Sequence, residues 1–209
     1  MTAPLTPRIA IRAARPDDAP LTAQMFRLSM GGLAEMLFDD DARKTELTLI
    51  RLFTRDAGRF GYGVTVVAEV GENPLGVLAA FSGAALSRLN LEAFAAFPKI
   101  LGLAGTSRLF WRAIPHASIE EAKTDEYYIS NVGVLPQAQG HGIGTRLMQF
   151  AEEAAQAAGL MKCSLLVGTT NHGARRLYER LGYEVVFTRS HASPALSYNR
   201  MVKQLGPRT

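Results

Sequence analysis

The chain has 209 residues, of which 47% are hydrophobic and 20% charged, with one cysteine and a formal net charge of +4 at pH 7. The apolar content supports a sizeable core and excludes an intrinsically disordered chain, while the single cysteine excludes an internal disulfide and suits a reducing cytoplasm. The mild positive charge fits a polyanionic small ligand, and without a basic stripe interleaved with aromatic residues it gives no case for nucleic acid.

The N-terminal part of the chain carries signals for a strand, two helices and a hairpin. Apolar and polar residues alternate in the strands, acidic residues precede the helices, and a Gly-Glu-Asn-Pro turn separates the last two strands. We expect, in order, a strand at 9–13, a helix at 16–30, a helix beginning at 39–41, and hairpin strands at 62–70 and 75–82.

A long insertion follows the hairpin at residues 83–125. Leucine, phenylalanine and isoleucine recur there at helical spacing, and Pro98 predicts a division into two short helices. The most apolar part is interrupted by Pro98, Lys99 and Arg108, which makes it too polar to span a bilayer. The N-terminal residues lack the apolar core of a signal peptide, so we expect neither a membrane span nor a secretory signal.

The C-terminal part alternates strands and helices. We expect strands at 126–134, 162–167, 183–189 and 196–202, and helices at 141–158 and 172–181. A helix connects the first two of these strands, so they should be parallel neighbours that splay apart and admit a ligand's extended arm. The expected architecture is one α/β domain, residues 1–209, with a central mixed β-sheet flanked by helices.

The most informative stretch is residues 132–147, where an apolar strand runs into Pro136 and then into a turn with three glycines before a helix. Glycines let the backbone approach a ligand, and a helix start presents N–H groups with partial positive charge, so we expect a phosphate or pyrophosphate there. The common glycine motifs fit poorly. Thr145-Arg146 stands where a P-loop has Lys-Ser/Thr, and Thr145 stands where a dinucleotide motif has its last glycine.

A second patch lies at residues 171–183, Asn-His-Gly-Ala-Arg-Arg-Leu-Tyr-Glu-Arg-Leu-Gly-Tyr. Asn171 is a good N-cap and Gly182 a good terminator for the helix between them, on which Ala174 and Tyr178 share one face. Taken one at a time, these residues have purely structural explanations: Asn171 as a cap, Tyr178 as a core residue and Gly182 as a helix terminator. The occurrence of both patches in this order favours a shared function.

Together the two patches resemble the GNAT superfamily of N-acyltransferases. Gln137-Ala-Gln-Gly-His-Gly142 fits its acyl-CoA loop pattern, Gln/Arg-x-x-Gly-x-Gly/Ala, and the second patch fits Asn-x-x-Ala-x-x-x-Tyr-x-x-x-Gly-Phe/Tyr. The core motif region is 126–190. The resemblance implies a GNAT-like fold, acetyl-CoA as co-substrate, and transfer of the acetyl group to a primary amine by direct attack in a ternary complex.

The resemblance also implies which residues contact the cofactor. Asn171 would hold the pantetheine arm and Ala174 would leave room for it. The preceding strand would hydrogen-bond the same arm through Val132, Gly133 and Val134, with one N–H polarising the thioester carbonyl. The backbone N–H groups of the turn would bind the pyrophosphate, and these belong to Gln139, Gly140, His141, Gly142, Ile143, Gly144 and Thr145.

Two residues are candidates for proton transfer. Tyr178 would supply a proton or hydrogen bond to the departing thiolate, the alternative being a buried tyrosine bonded to a backbone carbonyl. Glu126, which shares one side of an extended strand with Tyr128 and Ser130, would accept the amine proton, although a strand-end acid is more commonly solvated. His141 fits phosphate contact better than base chemistry, and we expect no metal site because no cluster has metal-ligand spacing.

Other interpretations stay open at this point. The insertion departs from the family's usual short connection, and it fits either a helical cover over the acceptor site or a dimer contact or plain surface packing. A non-catalytic acyl-CoA-binding or sensing module would keep the loop without turnover. The acceptor is a small-molecule or protein amine, a cytoplasmic location is expected, and homodimerisation follows from family habit alone.

Overall fold

The computed structural model describes residues 8–114, 120–192 and 194–206, apart from the side chain of Ala195. Its strands are β1 (Ile9–Ala13), β2 (Thr65–Val70), β3 (Asn73–Ser82), β4 (Tyr127–Val134), β5 (Lys162–Gly168), β6 (Glu184–Arg189) and β7 (Tyr198–Gln204). Its helices are α1 (Ala19–Met30), α2 (Gly32–Leu37), α3 (Ala42–Thr54), α4 (Leu86–Ala113), α5 (Ile143–Ala157) and α6 (His172–Arg180).

The seven strands found in the described part of the chain form one mixed sheet in the order β1-β2-β3-β4-β5-β7-β6. Strands β4 and β5 pair in parallel, and every other neighbouring pair is antiparallel. Helix α5 makes the crossover that a parallel pair requires. The predicted α/β class, the mixed sheet and the parallel central neighbours are therefore confirmed.

The parallel pair is short, so the sheet opens at its centre. Only Tyr127–Ile129 of β4 pair with Cys163–Leu165 of β5, although both strands continue beyond those residues. On its other edge β4 contains a bulge, because Asn131 pairs with Ala79 and Ile129 with Ala80, leaving Ser130 as an extra residue. A bulge bends a strand, so β4 diverges from β5 where the bulge lies.

Helices cover both faces of the sheet. On one face α1 and α3 bury Phe26 and Leu52 against Val77, and the first half of α4 packs at the edge of the same core. On the other face α5 and α6 bury Leu147 against Leu165. Strand β6 at the far edge is exposed along its whole length. The two helical layers therefore meet the opening between β4 and β5 from opposite sides.

The N-terminal helices follow the predicted signals with one addition. Pro16–Asp18 form a 3-10 turn before α1, and Gly31 ends α1 at φ 58° as expected, but the chain continues directly into α2. Asp41 caps α3, since its carboxylate accepts the N–H groups of Arg43 at 2.8 Å and of Lys44 at 3.1 Å.

In β2 and β7 a short 3-10 turn precedes the strand and moves its start to a later residue than predicted. Tyr62–Val64 form such a turn, fastened by the Gly63 N–H to Asp56 Oδ1 at 2.7 Å, so β2 begins at Thr65 rather than at 62. Pro194–Leu196 form another, so β7 begins at Tyr198 rather than at 196. β-propensity alone does not distinguish a tight turn from the strand that follows it.

The insertion is a helical hairpin, and its predicted breaking point is wrong. Pro98 lies within the first helical half, whereas Gly102, at φ 69° and ψ 174°, interrupts the helix. The rings of Phe94 and Phe110 lie 6.5 Å apart although the residues are sixteen positions apart, so the two halves fold back on each other. A left-handed glycine reverses the chain, while a proline removes only one hydrogen bond.

The insertion also carries a partly apolar surface made of aromatic residues. Phe97 is buried in the core, while Phe94, Phe110 and Trp111 are exposed. Residues 115–119 of the insertion lie outside the described residues, as does the tail at 1–7. In the described ranges, no helix has both the length and the apolar character that a bilayer crossing requires.

Candidate active site

The predicted glycine turn is present and requires glycine at two positions. Pro136–Ala138 form a 3-10 turn after β4, and Gly140 and Gly142 then adopt φ of 80° and 81°. Side chains other than glycine rarely adopt this left-handed conformation. The second glycine is the N-cap of α5, so the turn delivers the backbone directly to the start of that helix.

The turn leaves a run of backbone donors without partners. The first helical bond of α5 runs from the Arg146 N–H to the Gly142 carbonyl at 3.0 Å. Within the described ranges, the N–H groups from Gly140 to Thr145 make no hydrogen bond to protein. The Gln139 N–H, in contrast, donates to the Pro136 carbonyl at 3.3 Å. Six of the seven predicted donors are therefore free for an anion at a helix N-terminus.

Two polar side chains fasten the turn itself. The Gln139 amide donates to the Val134 carbonyl at 3.1 Å, and His141 Nδ1 lies 2.9 Å from the Gln139 carbonyl oxygen. Both side chains are exposed at the turn. Their contacts are local, so the donors are held in place before any ligand binds.

The predicted pantetheine strand has a free edge toward β5. Val132, Gly133 and Val134 pair with β3 on one side, and β4–β5 pairing stops at Ile129. The glycine there has a packing reason, because a Cβ on Gly133 would lie 2.9 Å from Met25 Cβ in α1. Helix α1 therefore sits directly against the strand that borders the opening.

Two predicted residues lie at the start of helix α6, which follows β5 in the chain. Asn171 caps it, with its side-chain oxygen accepting the Ala174 N–H at 3.1 Å. Ala174 is half-buried against the core under α5. Gly144 allows α5 and α6 to approach, since its Cβ would meet Leu177 Cδ2 at 3.2 Å. The two motifs that are separate in sequence thus pack against each other.

Tyr178 lies on the inner face of α6, where its side chain is 6% exposed. Its ring is 6.2 Å from that of Tyr183, and among the described residues its hydroxyl makes no hydrogen bond. Burial raises the pKa of Tyr178 above its usual value, so the hydroxyl keeps its proton at neutral pH. The alternative of a tyrosine bonded to a backbone carbonyl is not what the structure shows.

Glu126 is buried rather than solvated, so the commoner expectation for a strand-end acid is wrong here. Its residue is 2% exposed, and its carboxylate accepts hydrogen bonds from Arg200 and from the Lys123 N–H. Burial raises the pKa of Glu126, but the Lys123 N–H and Arg200 outweigh burial and lower it. Glu126 would accept a proton only after its pair with Arg200 opens.

A cleft of about 530 Å³ lies over β5, β7 and β6, on the face opposite α5. Tyr198 and Arg200 line it, and in the sheet they pair with Gly168 and Leu166, which follow the last β5 residue paired with β4. One end of the cleft is therefore level with the opening between β4 and β5.

A polar network that the sequence analysis missed reaches the bulge in β4. The Arg59 guanidinium makes two bonds to the Glu121 carboxylate, at 2.7 and 2.6 Å, and a third to Ser130 Oγ at 3.0 Å. The Tyr128 hydroxyl donates to Glu121 at 2.8 Å. The only signal in the sequence was the shared strand side of Tyr128 and Ser130.

The cysteine and the possible metal ligands are the other groups with reactive chemistry. Cys163 is buried, and burial raises the pKa of its thiol to about 12, so it is not a reactive thiolate at neutral pH. Among the described residues, no group of three His, Cys, Asp or Glu side chains has the arrangement of a metal site.

Comparison with known proteins places these features in a family. The Acetyltransferase (GNAT) family model matches residues 33–183. An uncharacterized N-acetyltransferase of Methanocaldococcus jannaschii is 40% identical over 68 residues, which are 32% of this chain and 29% of that protein. The chain spans only 23% to 29% of the length of the curated relatives that it matches.

Two solved structures share the fold at low identity. The N-acetyltransferase from Staphylococcus aureus Mu50 has a TM-score of 0.70 at 21% identity, covering 92% of this chain and 99% of that one. The PaiA N-acetyltransferase from Thermoplasma acidophilum, solved in complex with coenzyme A, has a TM-score of 0.54 at 13% identity, covering 94% and 99%. The family model spans most of the chain and includes the glycine turn and α6, so this chain belongs to the acetyltransferase (GNAT) family.

Proposed function

We propose that the protein is an acetyl-CoA-dependent N-acetyltransferase that transfers the acetyl group to a primary amine by direct attack in a ternary complex. The observation that carries the proposal is the run of six unpaired N–H groups at the start of α5. Among the described residues, the β4 edge beyond Ile129 has no strand partner, and Tyr178 on the neighbouring helix α6 is buried without a hydrogen bond. The N–H groups suit the pyrophosphate of acetyl-CoA, and the strand edge suits its pantetheine arm. The tyrosine suits the sulfur that leaves in the reaction.

The cofactor follows this path in the proposal. Its pyrophosphate lies on the N–H groups from Gly140 to Thr145, with Gln139 and His141 holding the turn. Its pantetheine arm lies along Val132, Gly133 and Val134 as an added strand in the opening. Asn171 contributes its amide nitrogen, because its oxygen is already engaged in capping α6.

The reaction requires one rearrangement of the protein, the opening of the buried pair between Glu126 and Arg200. The neutral amine attacks the thioester carbonyl carbon, and a β4 N–H stabilises the oxygen as it becomes negative. The carbon–sulfur bond breaks, the nitrogen loses a proton, and the sulfur receives a proton or hydrogen bond from Tyr178. Burial raises the pKa of Tyr178, which weakens it as an acid and favours the hydrogen-bonding role toward the sulfur.

The acceptor approaches from the face opposite α5. The cleft over β5, β7 and β6 ends level with the opening, and it carries both apolar and charged side chains, including Phe187 and Arg189. Room of this kind fits the amine-bearing arm of a small molecule or of a protein. Glu126 at the cleft is the proposed proton acceptor, acting when its pair with Arg200 opens.

CoA-thiol release from acetyl-CoA across a panel of amines tests the proposal, with wild type and Tyr178→Phe measured side by side. We expect wild-type turnover and a fall in kcat of about 100-fold in the variant, with acetyl-CoA affinity unchanged. Tyr62→Phe, a tyrosine beside α3, is the matched control and should keep wild-type kcat. Tight binding of acetyl-CoA without turnover on any amine would favour a binding or sensing module instead, and absence of binding would overturn the assignment.

A further inference from the structure

At the bulge in β4 an extra residue is inserted, the pairing with β5 ends, and side-chain hydrogen bonds hold the strand. Ser130 is the extra residue opposite β3, and it is also the first β4 residue beyond the last pair with β5. Its hydroxyl accepts a hydrogen bond from Arg59 at 3.0 Å and donates one to Asn131 Oδ1 at 3.1 Å. The strand therefore leaves its neighbour at a residue that side chains, rather than the sheet ladder, hold in place.

The bonds continue on both sides of the bulge. The Asn131 amide donates to Ser29 Oγ in α1 at 2.8 Å, and Ser29 donates to the Phe26 carbonyl at 3.0 Å. On the other side Arg59 also reaches Asn90 of α4 at 3.3 Å, besides its two bonds to Glu121. The network thus ties α1, α4 and the segment before β4 to one bulge.

The insertion supplies most of the support for Arg59. Arg59 belongs to the 3-10 turn Gly58–Phe60, and that turn packs closely on α4, since a Cβ on Gly58 would lie 2.0 Å from the Leu89 carbonyl oxygen. Asn90 and Glu121 both belong to the insertion. The inserted residues therefore determine where the guanidinium points.

The energetics favour a positioning role over a stabilising one. The Arg59 and Glu121 side chains are 15% and 22% exposed, so both charges lose most of their hydration. Burial raises the pKa of Glu121, but the charge and hydrogen bonds of Arg59 outweigh burial and lower it, so the pair stays ionised. A buried ion pair of this kind often adds little to stability compared with apolar side chains of similar volume, whereas it fixes geometry.

We propose that Arg59 is a positioning residue for acetyl transfer, which acts through Ser130 and fixes the bulge that aims the free β4 N–H groups at the thioester. Glu121 holds the guanidinium in place for that purpose. The inference rests on the proposed function, because it assigns the oxyanion contact to the backbone beyond Ser130. It gives the insertion a role at the reaction centre.

The test replaces the whole pair, so that no charge is left buried alone. Arg59→Met/Glu121→Met should still fold, with a lowered melting temperature because the buried Tyr128 hydroxyl loses its acceptor, and it should bind CoA within about twofold and lose 10- to 100-fold in kcat. Lys203→Met/Glu152→Met is the matched control, since its pair is 23% and 16% exposed and joins β7 to α5. This control should keep wild-type kcat.

An infrared measurement detects the contact between a β4 N–H and the thioester carbonyl without requiring turnover. Acetyl-CoA with a ¹³C-labelled thioester carbonyl should show a lowered carbonyl stretching frequency when bound to wild type, because an N–H polarises it. In Arg59→Met/Glu121→Met the frequency should return toward the value for free acetyl-CoA. Arg59→Lys should recover part of the shift, since a single ammonium can still reach Ser130.

The outcomes separate this inference from the proposed function. Wild-type kcat together with a wild-type carbonyl frequency in the double methionine variant would overturn the positioning role and leave the acetyltransferase proposal standing. A wild-type protein that binds no acetyl-CoA would overturn both. Loss of kcat and of the frequency shift with retained CoA binding would support the positioning role.

Discussion

On the α5 side of the sheet, the free donors are six consecutive N–H groups held by a local turn, whereas on the α1 side the polar contacts join residues 62 and 71 positions apart. The first arrangement depends on backbone conformation and the second on the packing of distant segments. Substitutions on the two sides should therefore affect different properties of the protein. Changes at the turn should weaken cofactor binding, and changes on the other face should reduce stability or rate.

The largest expected effect is on the acceptor face, at the buried pair of Glu126 and Arg200. Glu126→Gln should destabilise the fold by about 3 kcal/mol, because Arg200 then keeps its charge without a counter-ion. Thermal or urea unfolding measures this loss. Asp125→Asn, which breaks an exposed pair with Lys162, is the control and should cost less than about 1 kcal/mol.

The same pair predicts how stability depends on pH. The folded-state pKa of Glu126 is lowered below its ordinary 4.5, so its contribution is present above that value and is lost as the pH falls through the lower folded-state pKa. The melting temperature of wild type should therefore fall in this acidic range more steeply than that of Glu126→Gln. Parallel curves for the two proteins would contradict the lowered pKa.

The next largest effect should be on the α5 side, at the second left-handed glycine. Gly142→Val should weaken acetyl-CoA binding about 30-fold, because strain of about 2 kcal/mol at this φ displaces the neighbouring N–H groups. Isothermal titration calorimetry measures the affinity. Gly159→Val is a close control, with φ of 74° and open space around it at the other end of α5, and it should lower stability without weakening binding.

A smaller effect should distinguish the two residues that were candidates for the break in the insertion. Gly102→Ala should destabilise the hairpin by about 1 kcal/mol, because its φ of 69° disfavours any side chain. Pro98→Ala should raise stability, because it restores a helical donor within the first half. Unfolding curves give both values, and a stabilising Gly102→Ala would mean that the hairpin turns elsewhere.

The smallest effect on stability and binding is expected where the start of α5 contacts α6. Gly144→Ala places a Cβ 3.2 Å from Leu177 Cδ2, so the leucine must yield by a few tenths of an ångström. We expect a loss of stability below about 1 kcal/mol and a small fall in acetyl-CoA affinity. In a Leu177→Ala background the same change should cost nothing, and an undiminished cost there would remove the contact as its cause.

The turn and α6 could be predicted because their determinants are contiguous in sequence. Gly140 and Gly142 adopt the conformations that the pattern requires, and Asn171 caps α6 as its position indicates. Local backbone preferences act over a few residues, so a short motif contains nearly all the information that determines its structure.

The opposite face could not be predicted in the same way. Arg59 lies in a 3-10 turn and Glu121 in the insertion, and no spacing rule connects two charges that meet only after the sheet has formed. The break at Gly102 was missed because proline is the stronger local signal, although glycine makes the reversal. The burial of Glu126 depends on Arg200, which comes from another strand.

The extra residue in β4 shifts the phase of the strand by one position. Because of it, the adjacent residues Ser130 and Asn131 share the face of α1, after which Val132 returns to the layer under α5 and Gly133 to Met25. Strict alternation with Ser130 still present would instead send Asn131 into the apolar layer and Val132 toward α1, whereas deleting Ser130 would leave both on their present faces. The side chains that β4 presents to α1 and to α5 beyond Ser130 are therefore set by the bulge, and a strand that kept Ser130 but lost the bulge would exchange the two sets at once.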